Sequence, residues 1–193
     1  MVALPKLPSA MTVAAFLGWT PPDRRRWHLV DGVPLAMAPP SRTHGTLQGE
    51  LGAVIRNHLH ASRGPCVLVV APGIVPRIAG RENLRIPDLA VTCTPYTAEE
   101  SVLAEPVLVI ELLSPSNQAI TRDNARAYTT IPSVREILLL GTEAIFAEIL
   151  RRAPGGTWPD APQRITAGML AMESIGLAVP LADLYADTIL ARR

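Results

Sequence analysis

The sequence contains almost no lysine: Lys6 is the only one, and the other seventeen basic residues are arginines. The formal net charge is only +1, and under a fifth of the residues are charged. This balance excludes the strong basic field that many nucleic-acid-binding domains carry. It also limits the choice of catalytic bases, because a guanidinium stays protonated near neutral pH.

Long apolar runs are also missing. No stretch approaches the roughly 20 apolar residues that span a bilayer, and residues 1–19 lack the charged start and long apolar centre of a signal peptide. We therefore expect a cytoplasmic protein with no membrane partner. Hydrophobic residues make up 48% of the 193 residues, which is typical of a folded protein and suits a single domain over residues 1–193.

Cysteine is scarce, with only Cys66 and Cys93. Both follow or precede apolar residues, so we expect two reduced, partly buried thiols. No Cys/His cluster has zinc-ligand spacing. The sequence also has no Ser-His-Asp array, no phosphate-binding glycine loop and no dinucleotide fingerprint.

The apolar pattern predicts strands interspersed with helices. A short helix is expected over residues 12–19, capped by Thr12 or Ser9, and a hairpin is expected to turn at Asp31-Gly32. An apolar stripe at helical spacing predicts a long helix between residues 41 and 62. Further strands are predicted at 66–70, 73–78, 84–93, from 106, at 135–140, 144–151 and 169–173, with helices at 119–130 and near 180–190. This order indicates an α/β or α+β domain with one central sheet.

Two carboxylates stand in unusual surroundings. Glu111 lies inside a strongly apolar strand, and Asp88 follows Pro87 at the start of another. Consecutive strands often neighbour each other, which would bring the two carboxylates together. Close like charges repel unless a proton or a cation lies between them, and hard oxygen ligands favour Mg²⁺ or Mn²⁺. The residues alone also allow Asp88 to cap a loop and Glu111 to pair with Arg126 or Arg135.

Four segments in order resemble a known family: WHLVDGVPLAMAPPSRTHGTLQGEL, IPDLAVTC, PVLVIELLSPSN and AYTTIPSVREILLL. They resemble the Uma-two family of bacterial endonucleases, within the PD-(D/E)xK nuclease superfamily. The resemblance runs from about Trp27 to Leu150. It implies an α/β, restriction-endonuclease-like fold with a mixed central sheet flanked by helices.

The resemblance also implies roles for particular residues. Asp88 matches the motif aspartate, Glu111 matches the second acidic residue, and the carbonyl of Leu112 would complete a site for Mg²⁺ or Mn²⁺. A metal in such a site lowers the pKa of a bound water, which then attacks a phosphodiester. The implied function is a metal-dependent DNA endonuclease, and analogy with nucleases of this fold suggests a homodimer.

The sequence departs from the motif at its lysine. Leu113 occupies the motif position, and Asn124 occupies the alternative position, one turn before the matching Tyr128. Asn124, Gln118 or Arg126 could orient a water, but none is a good base near neutral pH. Two functions therefore stay open: an active endonuclease, or a catalytically degenerate relative that binds nucleic acid or a protein.

Several further residues are candidates. His44 and Gln48 lie one turn apart at the start of the long helix, where they could contact a substrate phosphate or a metal-bound water. His44 could equally be a helix-entry histidine bonded to the loop. Glu50 could act as a helix carboxylate or face solvent, and Arg24–Arg26 could touch a nucleic-acid backbone or form a solvated run.

Overall fold

The computed structural model of the protein describes residues 10–115 and 117–192. Its helices are α1 (Val13–Leu17), α2 (Arg42–Ser62) and α3 (Gln118–Tyr128), with 3₁₀ segments at Glu173–Ile175, Leu181–Tyr185 and Ile189–Arg192. Its strands are β1 (Trp27–Val30), β2 (Val33–Ala36), β3 (Val67–Val70), β4 (Leu89–Thr92), β5 (Pro106–Leu113), β6 (Glu136–Gly141), β7 (Ala147–Arg151), β8 (Gln163–Ile165), β9 (Met169–Met172) and β10 (Leu177–Pro180). Within the described ranges, no helix combines the length and apolar character that a membrane span requires.

The central sheet contains six strands in the order β3-β4-β5-β6-β7-β8. β5 and β6 run parallel, and the other neighbours in this sheet are antiparallel. β5 is apolar except for Glu111 and is buried along nearly its whole length, as expected for a central strand covered on both faces. The structure confirms the predicted α/β fold with a mixed central sheet flanked by helices.

α2 covers one face of the sheet. The hydroxyl of Ser41 accepts a hydrogen bond from the His44 backbone N–H and caps the helix start. The helix ends at Ser62, and the next residue, Arg63, adopts the left-handed conformation. Its predicted apolar stripe packs against the side chains of β5 that point to this face. Val54 of the stripe is partly buried, and its buried members are Leu47, Leu51, Ile55 and Leu59.

α3 packs on the opposite face, against the alternate residues of β5. Its buried side includes Ala125 and Tyr128, which contact the apolar cluster that also contains Val109 and Leu113. Because side chains alternate along a strand, Glu111 projects to this same face. The buried side of α3 therefore carries polar groups where it meets Glu111.

The hairpin β1–β2 turns at Asp31 and Gly32, as predicted, and both residues have positive φ. A bridge between Leu29 and Leu84 attaches the hairpin to the segment before β4. The attachment brings Arg24–Arg26, which precede β1, to the side of the sheet where Asp88 lies.

Several predicted boundaries are wrong. Residues 73–78 form only isolated bridges, and Pro76 cannot donate a ladder hydrogen bond. β4 begins at Leu89 rather than at residue 84, since Pro87 interrupts the pairing. The helix predicted near 180–190 consists of two short 3₁₀ segments, and β8 and β10 were not predicted. Thr12 caps α1 as expected, whereas Ser9 lies outside the described residues.

The expectation of two reduced thiols is also wrong, because Cys66 and Cys93 form a disulfide. The register pairs Val67 with Thr92, so one further step places Cys66, just before β3, opposite Cys93, just after β4. Their Cα atoms are 3.8 Å apart. The cysteines are separated by 27 positions in the sequence, so the sequence alone did not reveal this proximity.

Candidate active site

The antiparallel register of β4 and β5 brings the two carboxylates together. Leu89 pairs with Ile110, so one further step along the ladder places Asp88 opposite Glu111. Both side chains are mostly withdrawn from solvent, with Asp88 9% and Glu111 5% exposed. The predicted proximity of these two strands is confirmed.

Asp88 accepts hydrogen bonds at both its carboxylate and its backbone carbonyl. The Nε2–H of His44 donates to Oδ1 at 2.7 Å, and the Leu112 backbone N–H donates to Oδ2 at 2.7 Å. Its carbonyl oxygen accepts from the Gln48 amide at 2.8 Å and from the Ala71 N–H at 3.0 Å. These bonds fix both the side chain and the peptide group, and each carboxylate oxygen keeps a further lone pair for a ligand.

Glu111 receives its hydrogen bonds from α3. The Tyr128 hydroxyl donates to Oε1 at 2.9 Å, and the Asn124 amide donates to the same oxygen at 3.2 Å. Burial, and then the nearby charge of Asp88, raise the pKa of Glu111 to about 8 despite these two bonds. Burial also raises the pKa of the Tyr128 hydroxyl well above its usual value, which keeps it a donor.

Asn124 has one unsatisfied atom. Its amide nitrogen donates to Glu111, but its buried Oδ1 has no partner among the described residues. The residue lines the same cavity as the two carboxylates. A buried carbonyl oxygen without a partner is costly, so this atom is suited to accept from a water or to bind a cation.

Two basic residues lie around the carboxylates. Burial, and then Arg85, lower the pKa of His28 to about 4, so its ring is neutral near pH 7. The Ile86 N–H donates to Nδ1, which leaves the His28 proton on Nε2 as a donor. Burial likewise lowers the pKa of Arg85, whose guanidinium donates to Asn83 Oδ1 at 2.9 Å.

A cavity of about 1080 Å³ opens above the carboxylates. Its lining comes from Arg24–Arg26, from β2 and the residues after it, from the starts of α2 and α3, and from the last 3₁₀ segment. Asp88, Glu111, His44, His28 and Asn124 all contribute to it. The lining of the cavity therefore contains both the two carboxylates and the three arginines Arg24–Arg26.

The side chains around the carboxylates are compatible with a hard cation, although they do not form a closed metal cage. Within the described residues, no three His, Cys, Asp or Glu side chains come together in a metal-binding group. The side-chain oxygens available here are the carboxylates of Asp88 and Glu111 and the unsatisfied Oδ1 of Asn124. An all-oxygen set that leaves room for water suits Mg²⁺ or Mn²⁺.

A family model, Uma2, described as "Putative restriction endonuclease", matches residues 13–180 of this sequence. The chain belongs to the Uma2 family. The resemblance found in the sequence is thereby confirmed. Membership in the Uma2 family supports a nuclease-like function.

One relative and one solved structure extend the comparison of this Uma2 chain. The chain is 27% identical over 172 residues to "Uncharacterized protein slr1290" from Synechocystis sp., and the match covers 88% of each of the two chains. It also resembles the crystal structure of "a putative nuclease belonging to DUF820" from Anabaena variabilis, with a TM-score of 0.72 and 16% identity. That match covers 91% of this chain and 98% of the other, and supports the fold.

The structure separates the predicted site residues of this Uma2 member into two groups. Asp88, Glu111, His44 and Asn124 line one cavity, and Leu112 contacts Asp88 through its backbone. The second group lies elsewhere: Gln118 and Arg126 are exposed, Arg126 binds Asp123 at 2.9 Å, and Glu50 is half-buried outside the cavity lining. The alternative pairing of Glu111 with Arg126 or Arg135 is wrong, because Glu111 bonds to Asn124 and Tyr128.

Sequence reasoning missed three polar groups near the Uma2 site. Tyr128 served only as a landmark in the motif, yet its hydroxyl binds Glu111. Neither His28 nor Arg85 was predicted to be a site residue. His28 stands between Trp27 and Leu29 in a buried strand, and a lone ionisable residue in an apolar strand is the same signal that identified Glu111.

Proposed function

We propose that the protein is a divalent-metal-dependent nuclease that hydrolyses phosphodiester bonds of DNA. The observation that supports this function best is the opposed, buried pair Asp88 and Glu111 at the base of a large cavity. Membership in a family described as restriction endonucleases agrees with that chemistry.

We assign Asp88, Glu111 and the carbonyl of Leu112 as ligands of Mg²⁺ or Mn²⁺, with Asn124 Oδ1 beside them. The bound cation would lower the pKa of a water and offset charge on the phosphate. His44 holds Asp88 in position, and Tyr128 holds Glu111. The neutral His28 offers its Nε2–H to a phosphate oxygen, and Asn124 orients the attacking water.

The direct test is cleavage of circular DNA, supplied both as duplex plasmid and as a single strand, in the presence of Mg²⁺ or Mn²⁺. We expect the wild type to cut, and we expect Asp88→Asn and Glu111→Gln to lose cutting. Glu50→Gln is the matched control, since Glu50 is a half-buried carboxylate that does not line the cavity. Metal-dependent cutting that persists in both site variants would contradict the proposal.

A second candidate is a catalytically degenerate relative that binds nucleic acid or a protein without cutting. It is favoured by the position of Leu113, which packs in the apolar cluster under α3 where the motif has a lysine. Asn124→Lys would place an ammonium beside Glu111. Under this alternative the wild type is inert and Asn124→Lys gains metal-dependent cutting, whereas an active wild type excludes it. A cytoplasmic location and a homodimer stay predictions.

A further inference from the structure

The mouth of the cavity exposes apolar side chains beside charged ones. Three aliphatic side chains are exposed there: Leu35 at 41%, Ile120 at 49% and Ile189 at 55%. They come from β2, from α3 and from the last 3₁₀ segment, and all three line the cavity. Because three separate segments converge on one opening, their exposed apolar surface is concentrated at the place where a ligand enters.

Arginines form another part of the same mouth. Arg25 is committed to the protein: its guanidinium binds Asp23 at 2.6 Å and lies 5.4 Å from the Trp27 ring. The exposed side chains of Arg24 and Arg26 form no ion pair with any described residue. These two guanidinium groups are therefore available to an anion at the entrance.

From this arrangement we infer that the site takes a single-stranded polynucleotide segment, with phosphates on Arg24 and Arg26 and bases against Leu35, Ile120 and Ile189. The inference rests on the proposed nuclease function and names its substrate class. A duplex presents phosphates but hides the faces of its bases in the stack. A single strand presents both, so it can satisfy an entrance that is cationic and apolar together.

The depth and charge of the site favour the same substrate. Asp88 and Glu111 are buried at the base of the cavity, so a scissile phosphate has to enter between the walls rather than lie across a flat surface. The formal net charge of +1 also provides no overall basic field that would draw a duplex to the protein. A flexible strand that makes few phosphate contacts fits both observations.

Equilibrium binding by fluorescence anisotropy tests the inference. The probes are labelled single-stranded DNA and RNA of about twelve nucleotides and the matching blunt DNA duplex, all in EDTA so that no cutting occurs. We expect either single strand to bind at least about tenfold more tightly than the duplex. Comparison of the DNA and RNA strands identifies which sugar the site prefers.

Two sets of variants separate the phosphate contacts from the base contacts. Arg24→Ala with Arg26→Ala should lower the slope of log affinity against log salt by about 1.4, the sum for two phosphates of a single strand. Ile120→Ser should weaken single-strand binding about fivefold and leave that slope unchanged. The control, Arg56→Ala with Arg77→Ala, removes two exposed arginines outside this cavity and should change neither quantity.

Tighter binding of the duplex, or a salt slope that does not respond to Arg24 and Arg26, would overturn the inference. Neither result would touch the nuclease proposal, which depends on cutting that requires Asp88 and Glu111. Conversely, selective single-strand binding by a protein that never cuts would support this binding surface and remove the nuclease function.

Discussion

At the residue scale, Glu111 and His28 change the free energy of unfolding with pH in opposite directions. Glu111 keeps its proton up to about pH 8 in the folded protein but loses it near pH 4.5 when unfolded. The folded state therefore binds more protons between these values, and Glu111 makes the free energy of unfolding fall as pH rises. His28 opposes this effect only below its ordinary pKa of 6.5.

We therefore predict that the free energy of unfolding without metal decreases from pH 6.5 to pH 8 because of Glu111. Urea denaturation at several pH values measures this slope. Glu111→Gln keeps an acceptor for Tyr128 but cannot ionise, so its slope should be flatter. Identical slopes in the two proteins would mean that Glu111 does not titrate in this interval.

His44 is a positioning residue for Asp88, and its removal should be visible in metal binding. His44→Ala leaves Asp88 Oδ1 without its 2.7 Å donor. We expect Mn²⁺ affinity to fall about 10- to 100-fold, the usual cost of losing the hydrogen bond that orients a ligand. The measurement is the rise in melting temperature as Mn²⁺ is added. His60→Ala, at an exposed position near the other end of α2, should bind Mn²⁺ like the wild type.

Sequence reasoning found the site residues that stand out from their own neighbours. Glu111 is recognisable because an ionisable group interrupts an apolar strand. Its bonds to Asn124 and Tyr128 depend on how α3 packs on β5, which local sequence does not specify. Arg126 failed as a candidate because it lies two residues beyond Asn124 on the helix and so faces solvent.

At the scale of elements, the end of β6 has no space for a side chain. A Cβ added at Gly141 would lie 2.2 Å from the Phe146 ring and 2.7 Å from the Ala144 carbonyl oxygen. We predict that Gly141→Ala lowers the free energy of unfolding by about 1–3 kcal/mol. Chemical denaturation measures the change.

Gly49 provides the matched control for that substitution. It lies inside α2, and a Cβ there would meet nothing within 4 Å. Gly49→Ala should raise the free energy of unfolding by about 0.5–1 kcal/mol, because alanine loses less backbone entropy in a helix. If both substitutions shift stability in the same direction, steric crowding at Gly141 is not the cause.

Elements with a strong period were predictable, and those fixed by distant contacts were not. α2 follows from its apolar stripe and the Ser41 cap, and the first hairpin follows from Asp31-Gly32. β8 has only three residues and is held by pairing with β7, so its own sequence carries a weak signal. The 3₁₀ segment at Leu181–Tyr185 buries Leu181, Leu184 and Tyr185 in the core, a tertiary effect that overrides helix periodicity.

At the scale of the whole molecule, the disulfide links edge strand β3 to β4. It closes a segment with a sequence separation of 27 residues between Cys66 and Cys93. We predict that reduction lowers the free energy of unfolding by about 3–4 kcal/mol, the chain-entropy value for such a loop. Denaturation with and without a dithiol reductant measures the loss.

Replacing both cysteines with alanine should abolish the response to reductant. A wild type whose stability is the same in both conditions would show that the crosslink adds nothing to the folded state. Cutting assays on the two forms would then tell whether activity depends on the β3–β4 link.

The hydrogen bonds around Asp88 also restrict its side chain before any ligand binds. α2 holds the residue at both ends, with His44 on the carboxylate and Gln48 on the carbonyl, while β5 supplies the Leu112 N–H. The side chain gives up its rotamer freedom during folding, so that entropic cost does not recur when a ligand arrives. A ligand that binds Asp88 therefore meets a carboxylate that is already oriented. Small shifts in the tilt of α2 should alter the affinity of Asp88 for that ligand without any chemical change in the carboxylate.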